Sequence, residues 1–396
     1  MNKMNRTMMN RKLLLLILLT VLSAFLQAET LIEKKAIEEK TSASLLIADW
    51  LSGAHIKYAY EGEPVKWKFA HPAPPVSLLP TVWQQGFDDL AAASGKGITL
   101  KQFGGGTLYG VKGGVKAIRA GLADSGTCYS LYESKGFELT QAFAVSSVSP
   151  DNPYLAAKII IELAPKYISP EFEKRGVHLG HIFPVKPLTL MSKTPVRKPE
   201  DLKGKKIASF MRPSNASKVL GYEEVLMPFP EVYTALQQGV IDAVIWSDMG
   251  FVPFKIYEQA KYYTDINIST ATIETCINKR SFNKLTKPLK QAVYDTQQKI
   301  MLGMVDKSVN FSKQAINIYK QKGVEVIKLT PEERLVWTSS YAEVKKDWLG
   351  KCEASGKDCK GILKDIEHLT EKYKGMTDSA LVKSMIEHPI QGIIDF

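Results

Sequence analysis

The stretch MPFPEVYTALQQGVIDAVIW, residues 227–246, constrains the fold most, because it encodes a helix followed directly by a buried strand. Phe229 and Pro230 suit the start of a helix, and apolar residues follow at helical spacing. Gly239 supplies a left-handed helix end, and the β-branched run VIDAVIW predicts a strand. The stretch therefore predicts one helix–strand unit of an α/β fold.

The same pattern occurs once more upstream. Residues 117–124, AIRAGLAD, match residues 235–242, ALQQGVID, as A-x-x-x-G-x-x-D. Each copy follows an earlier strand, ITLKQF or KKIASFM, and a helical connection. Two βαβ units of like design predict two similar α/β lobes with a cleft between them. The alternative is that helix–Gly–strand units are common in α/β folds and need not mark a repeat.

Other segments fill in this outline. Alternation in VKWKFAH predicts a first strand over residues 65–71, and ITLKQF predicts a second over 98–103. A helix is expected over residues 253–262. A long helix is expected over 286–322, where apolar residues recur at helical spacing.

Length and composition indicate a globular protein of more than one domain. The chain has 396 residues, of which 45% are hydrophobic and 23% are charged. The formal net charge is +11, but the lysines are scattered rather than aligned on one face. We therefore expect no nucleic-acid partner, and we interpret the charge as favouring solubility and anionic ligands.

The N-terminus has the pattern of an export signal. Four basic residues precede the apolar run from Leu13 to Phe25, and Leu26-Gln27-Ala28 is an acceptable cleavage site. The apolar run is short for a membrane span, although an uncleaved anchor is the alternative. We predict a signal peptide over residues 1–28 and a periplasmic location.

The four cysteines are consistent with export. Cys352 and Cys359 bracket the short polar loop CEASGKDC, so an oxidising compartment would favour a local disulfide. Cys128 and Cys276 lie in or beside predicted strands and are expected to be buried thiols. The histidine pair in HLGH lies far from these cysteines, so no metal site is predicted.

Several motifs resemble the DctP-type solute-binding proteins of TRAP transporters. PFPEVYTALQQGVIDA is very similar to a long and specific motif of that family. KPEDLKGKKI resembles a second box, and WKFAHPAPP, IRAGLAD and GKDCKGILKDIEHLTEKY resemble further segments. The resemblance covers about residues 65–375. It implies two α/β lobes, crossing hinge strands and a lobe-spanning helix. It also implies a binding protein without enzymatic activity or cofactor, which delivers a small organic acid to the small and large subunits of an ion-gradient-driven permease.

The resemblance suggests a division of the chain. After the signal peptide, residues 29–64 form an N-terminal extension. Lobe I is expected to comprise residues 65–186 and 273–311. Lobe II is expected to comprise residues 187–272 and 312–396.

The chain departs from the family at the ligand site. The family's DLKGxKxR box ends in an arginine that binds the ligand carboxylate, but this chain has Ala208 there. Arg212, four residues on, is our candidate replacement, and its alternative role is a surface charge in a turn. Lys186 is the cation nearest to the position of a second family arginine. Trp246 occupies a position where an aromatic ring can stack on the ligand, or it is a core residue.

Four weaker candidates lie at predicted strand ends or in neighbouring turns. Asp248 is expected to bind ligand hydroxyls or a cation. The other three are His71, Tyr129 and Asn215.

Three alternatives stay open at this point. The same fold could bind a less acidic or neutral solute, because the family arginine is missing. It could act as a ligand sensor for a signalling receptor. An exported enzyme is disfavoured, since neither G-x-S-x-G nor H-E-x-x-H occurs in the sequence.

Overall fold

The computed structural model describes residues 43–51, 58, 60–133, 135–209, 216–227 and 229–396. The predicted signal peptide and part of the N-terminal extension lie outside these residues. In chain order the strands are β1 Val65–Ala70, β2 Ile98–Phe103, β3 Ser125–Thr127, β4 Val177–Pro184, β5 Thr189–Ser192, β6 Lys206–Ser209, β7 Glu223–Val225, β8 Ala243–Trp246, β9 Tyr262–Thr264, β10 Thr272–Asn278 and β11 Glu325–Ile327.

Helices surround these strands. They are α1 (residues 43–51), α2 Leu79–Ala93, α3 Gly114–Ala120, α4 Pro153–Leu163, α5 Ser169–Lys174, α6 Ala216–Leu220, α7 Val232–Gln238, α8 Asp248–Phe251, α9 Lys279–Asn283, α10 Lys287–Gln321, α11 Pro331–Glu353, α12 Cys359–Tyr373 and α13 Asp378–Glu387. Among the described residues, none of these helices is both long and apolar enough to cross a bilayer.

The strands form two mixed sheets. The first has the order β2-β1-β3-β10-β4, in which β1 is parallel to β2 and β3, and β10 is antiparallel to β3 and β4. The second has the order β11-β9-β5-β8-β6-β7, in which β5 is antiparallel to both of its neighbours. Two sheets with helices packed against them confirm the predicted two-lobed α/β fold class.

The A-x-x-x-G-x-x-D repeat has the same local structure in both lobes. Gly121 ends α3 and Gly239 ends α7, each with a positive φ (85° and 76°). The motif aspartates then join neighbouring strands: Asp124 Oδ2 accepts from a backbone N–H of β1, and Asp242 Oδ2 accepts from one of β6, each at 2.8 Å. Glycine permits the left-handed turn, and the carboxylate satisfies a strand N–H that would otherwise lack a partner.

Two connections and one helix join the lobes. Residues 185–188 lead from β4 to β5, residues 265–271 lead from β9 to β10, and the backbone N–H of Leu188 donates to the carbonyl of Ser269 at 2.8 Å. Helix α10, which the sequence predicted over residues 286–322, packs against α2 and β4 of the first lobe and against α8 and β11 of the second. The lobes are therefore coupled by two paired segments and a common helix.

The C-terminal helices contact both lobes. Helix α11 packs against α6 of the second lobe, whereas α12 and α13 pack against α4 of the first. The division of the chain into two lobes at residues 186–187, 272–273 and 311–312 stays a prediction.

The helix expected over residues 253–262 is wrong. Only Ile256–Glu258 form a short 3-10 turn, and β9 begins at Tyr262. Lys255 has a left-handed backbone (φ 54°), which interrupts any regular helix at that point. The apolar spacing that suggested a helix instead places Ile256 and Tyr257 in the core of the second lobe.

The expectation that Cys128 and Cys276 are free thiols is also wrong, because they form a disulfide between the end of β3 and β10. These cysteines are 148 residues apart, but β3 and β10 are neighbours in the first sheet. Cys352 and Cys359 form a disulfide with an S–S distance of 2.02 Å, joining α11 to α12.

Candidate ligand site

The candidate ligand site lies at the edge of each sheet where its parallel strands end. At the edge of the first sheet, β1 and β3 end side by side, with Ala70 opposite Gly126. At the edge of the second, β8 ends beside the start of β5, with Trp246 opposite Thr189. Both edges adjoin the segments that connect the lobes, and open α/β sheets bind ligands at the carboxyl ends of their strands.

The structure brings Lys186 and Asp248 together, although they are far apart in sequence. Lys186 lies in the connection between β4 and β5, and Asp248 begins α8 directly after β8. The Lys186 Nζ atom is 3.8 Å from Asp248 Oδ2; the lysine side chain is 26% exposed and that of the aspartate only 1%. The second lobe thus holds a buried carboxylate whose neighbouring cation reaches solvent.

Two tyrosines surround the Asp248 carboxylate. The Tyr319 hydroxyl, from α10, donates to Asp248 Oδ1 at 2.9 Å. The ring of Tyr263, from β9, lies 5.2 Å from that of Tyr319. Burial raises the pKa of Asp248, and the positive charge of Lys186 opposes this rise. Burial also raises the pKa of Tyr263, and the negative charge of Asp248 adds to it.

Trp246 is the last residue of β8 and is partly exposed. Its ring lies 5.9 Å from that of Phe229. Gly250 allows the indole ring to pack closely against the backbone, since a Cβ atom there would lie 2.5 Å from Trp246 Cδ1. The tryptophan is thus held in place on one side while part of its surface faces outward.

His71 follows β1 directly and is almost fully buried, at 2% exposure. Its Nε2 donates to Gln102 Oε1 (3.1 Å), and its ring packs 4.9 Å from that of Trp83. Burial lowers the pKa of His71, so the ring is neutral at pH 7. Gly104 allows the next strand end to approach, because a Cβ atom there would lie 2.7 Å from the imidazole.

Tyr129 follows β3 and Cys128, and it is half-buried. The next residue, Ser130, donates its backbone N–H to Glu274 Oε2 at 2.9 Å, and the Thr272 hydroxyl donates to Oε1. Glu274 lies on β10 and is fully buried, which raises its pKa to about 7. This carboxyl therefore joins the turn that carries Tyr129 to the adjacent strand.

Two predicted site residues belong to a segment that the structure does not describe. Arg212 and Asn215 lie outside the described residues, in the segment that follows β6. Ala208, at the position of the family arginine, is a fully buried residue of β6. Whether Arg212 compensates for it stays a prediction.

The sequence candidates thus lie in two groups. His71 and Tyr129 follow neighbouring strands of the first lobe, and Lys186, Trp246 and Asp248 adjoin the end of β8 in the second. Sequence reasoning missed Tyr263 and Glu274. Glu274 could have been noticed as a glutamate inside the otherwise apolar strand ATIETCIN. No feature of the sequence indicated a role for Tyr263. Across the part of the chain that the structure describes, no group of three or more metal-binding side chains is assembled.

The fold is similar to solved solute-binding proteins. DctP7 of Bordetella pertussis, described as an extracytoplasmic solute receptor binding pyroglutamic acid, aligns with a TM-score of 0.69 and 22% identity, over 76% of this chain and 99% of that one. A marine metagenome TRAP protein specific for aromatic acid ligands aligns with a TM-score of 0.71 and 21% identity, over 79% and 99%. At these identities the likeness shows the fold.

A sequence relative is the 2,3-diketo-L-gulonate-binding periplasmic protein YiaO of Escherichia coli, 30% identical over 186 residues. The match covers 45% of this chain and 53% of that protein, so the chain spans about half the length of the curated relatives it matches. The family model DctP, bacterial extracellular solute-binding protein family 7, matches residues 73–351. Because that match covers well over half of the chain, the protein belongs to the DctP family of bacterial extracellular solute-binding proteins.

Proposed function

We propose that this protein captures a small organic acid between its two lobes and delivers it to an ion-gradient-driven TRAP permease. The observation that carries the proposal is the family match over residues 73–351 on a two-lobed fold whose strand ends meet the connecting segments. Three similar proteins are described as binding pyroglutamate, aromatic acids or diketogulonate, and all of these ligands are organic acids. They support the same ligand class here.

The residues at the second sheet edge fit a carboxylate ligand. Lys186 offers a cation that reaches solvent, and a charged hydrogen bond to a carboxylate is worth about 1.5–3 kcal/mol. Trp246 would cover an apolar part of the ligand. From the sequence we add Arg212 as a second cation, and we keep as further contacts Asp248, His71, Tyr129 and Asn215.

The partners and the location follow from the same proposal. A closed, ligand-bound form would dock on the small and large permease subunits in the periplasm, after export directed by residues 1–28. Closure is driven only by the difference in ligand affinity between the open and closed states. Binding without turnover is expected, and an enzyme is disfavoured because the family and the structural neighbours are binding proteins.

A thermal-shift screen of the purified protein tests the function. A ligand that binds only the native state raises the melting temperature by mass action. Carboxylates should raise it, whereas neutral sugars and osmolytes should not. A shift with neutral compounds alone would replace the organic acid by a neutral solute, and turnover of a ligand would indicate an enzyme. Growth that depends on the permease would separate transport from a sensing role.

The variant Arg212→Ala tests the sequence-based cation. It should weaken an acid ligand by about 1.5–3 kcal/mol, measured by calorimetric titration. Arg280→Ala is a matched control and should keep its affinity. Arg280 follows the carboxyl end of β10, away from the connecting segments, and donates to the carbonyl of Ala120 (3.2 Å). Unchanged affinity in Arg212→Ala would remove this residue from the site.

A further inference from the structure

A buried polar cluster at the end of β8 has unused hydrogen-bonding capacity. Its members are Lys186, Asp248 and Tyr263. Asp248 and Tyr263 are each 1% exposed, and within the described residues neither Asp248 Oδ2 nor the Tyr263 hydroxyl has a partner with good hydrogen-bond geometry. Leaving such groups unsatisfied costs about 1–3 kcal/mol each, so this arrangement is unusual in a native core.

The groups with unused hydrogen-bonding capacity lie around the Asp248 carboxylate. Asp248 Oδ1 is already occupied by the Tyr319 hydroxyl, which leaves Oδ2 as an acceptor beside Lys186 Nζ. The Tyr263 ring lies 5.2 Å from that of Tyr319, whose hydroxyl donates to Asp248 Oδ1, so Tyr263 lies beside the same carboxylate. Together they offer two donors, the ammonium and the phenol, and one acceptor.

These two donors and one acceptor require more of a ligand than a single cation would. Since Asp248 already balances the charge of Lys186, a plain carboxylate would place its negative charge near Asp248 without using Oδ2. A ligand that also carries an N–H or O–H next to its carboxylate would satisfy all three groups. Sites built to bond a ligand hydroxyl or amine discriminate strongly against analogues that lack it.

We propose that this cluster selects acids with a hydrogen-bond donor, a hydroxyl or an amino group, on the carbon next to the carboxylate. Lys186 and Tyr263 donate to the carboxylate, and Asp248 Oδ2 accepts from the adjacent donor. The inference rests on the proposed function, because it specifies which organic acids the same site binds.

The test compares matched acids by calorimetric titration. The panel contains propionate with lactate and alanine, and phenylacetate with mandelate and phenylglycine. The substituted acids should bind at least tenfold more tightly than their parents, and the hydroxy and amino members identify which donor is preferred. In Asp248→Asn, which keeps an acceptor oxygen for Tyr319, this preference should disappear.

Tyr263→Phe separates a ligand contact from a structural role. Its hydroxyl has no partner with good hydrogen-bond geometry, so removing it should change the melting temperature little while affinity falls about tenfold or more. Tyr167→Phe is the matched control with the opposite pattern. The Tyr167 hydroxyl donates to Asp365 at 2.8 Å, so this variant should lose stability and keep its affinity.

The outcomes distinguish the two proposals. Equal affinity for parent and substituted acids, or unchanged affinity in Tyr263→Phe, overturns the inference and leaves the proposed function intact. A preference that persists in Asp248→Asn also overturns it. If no acid in the panel binds, the inference fails, and the organic-acid function fails as well only if no carboxylate raises the melting temperature in the thermal-shift screen.

Discussion

Glu274 makes stability depend on pH in a direction opposite to that of most carboxylates. Burial raises its pKa from 4.5 to about 7, so the folded protein holds a proton that the unfolded chain has released. The stability from this group is therefore fully present below pH 4.5 and is lost as the pH rises through 7. A difference of about 2.5 pH units corresponds to about 3 kcal/mol.

The variant Glu274→Gln removes this titration and keeps an oxygen for the backbone N–H of Ser130. The free energy of unfolding, measured with urea between pH 4 and pH 8, should therefore change differently in the two proteins. As the pH rises, the wild type should lose about 3 kcal/mol relative to the variant. Using the difference cancels the titration of all other groups. A difference that stays constant across this range would refute the assignment of a raised pKa to Glu274.

His181 provides a control of opposite sign. Burial lowers its pKa from 6.5 to about 4, and Trp83 Nε1 donates to its Nε2 at 3.1 Å. Between these pH values the imidazole is protonated in the unfolded chain but not in the folded protein. The free energy of unfolding of the wild type should therefore fall by about 3 kcal/mol as the pH falls from 6.5 to 4. In His181→Gln this loss should vanish. If both variants changed the pH dependence in the same direction, the effect would reflect packing rather than titration.

The remaining predictions concern the covalent and packed framework. Cys128 and Cys276 are 148 residues apart, so replacing both by alanine should lower the free energy of unfolding by about 5 kcal/mol. Cys352 and Cys359 are only 7 residues apart, so replacing both should lower it by about 2 kcal/mol. Urea unfolding of the two double variants checks the ranking, and the reverse order would contradict it. Gly86→Ala should cost about 1–3 kcal/mol despite the gain in helix propensity, since its Cβ would lie 2.3 Å from Ile300 of α10. Gly350→Ala in α11, where an added Cβ atom would meet no other part of the described structure within 4 Å beyond its own helix backbone, should instead raise the melting temperature.

Local patterns were the most reliable guide to the fold. The helix end at Gly239 and the strand after it depend on backbone conformation and short-range apolar spacing, which the sequence records directly. The same holds for the long helix α10. The helix expected over residues 253–262 failed because the apolar spacing there serves an irregular turn through Lys255, and periodicity alone does not distinguish the two.

The site was less predictable than the fold. Sequence position and family resemblance suggested Lys186, Trp246 and Asp248, each near the end of a strand. Nothing in the sequence indicated that Lys186 and Asp248 form a pair, that Tyr263 joins them, or that Glu274 supports the turn carrying Tyr129.

The sequence by itself determined the α/β class, the repeated helix–Gly–strand unit and the long helix α10, because each rests on interactions between residues close in the chain. The tertiary structure alone decided which distant groups meet. Cys128 reaches Cys276, and Ser130 reaches Glu274, because β10 returns to the first sheet after strands β5 to β9 of the second sheet. Long-range strand order sets burial, and burial sets the charge state and hydrogen-bonding capacity of the groups on which ligand choice depends.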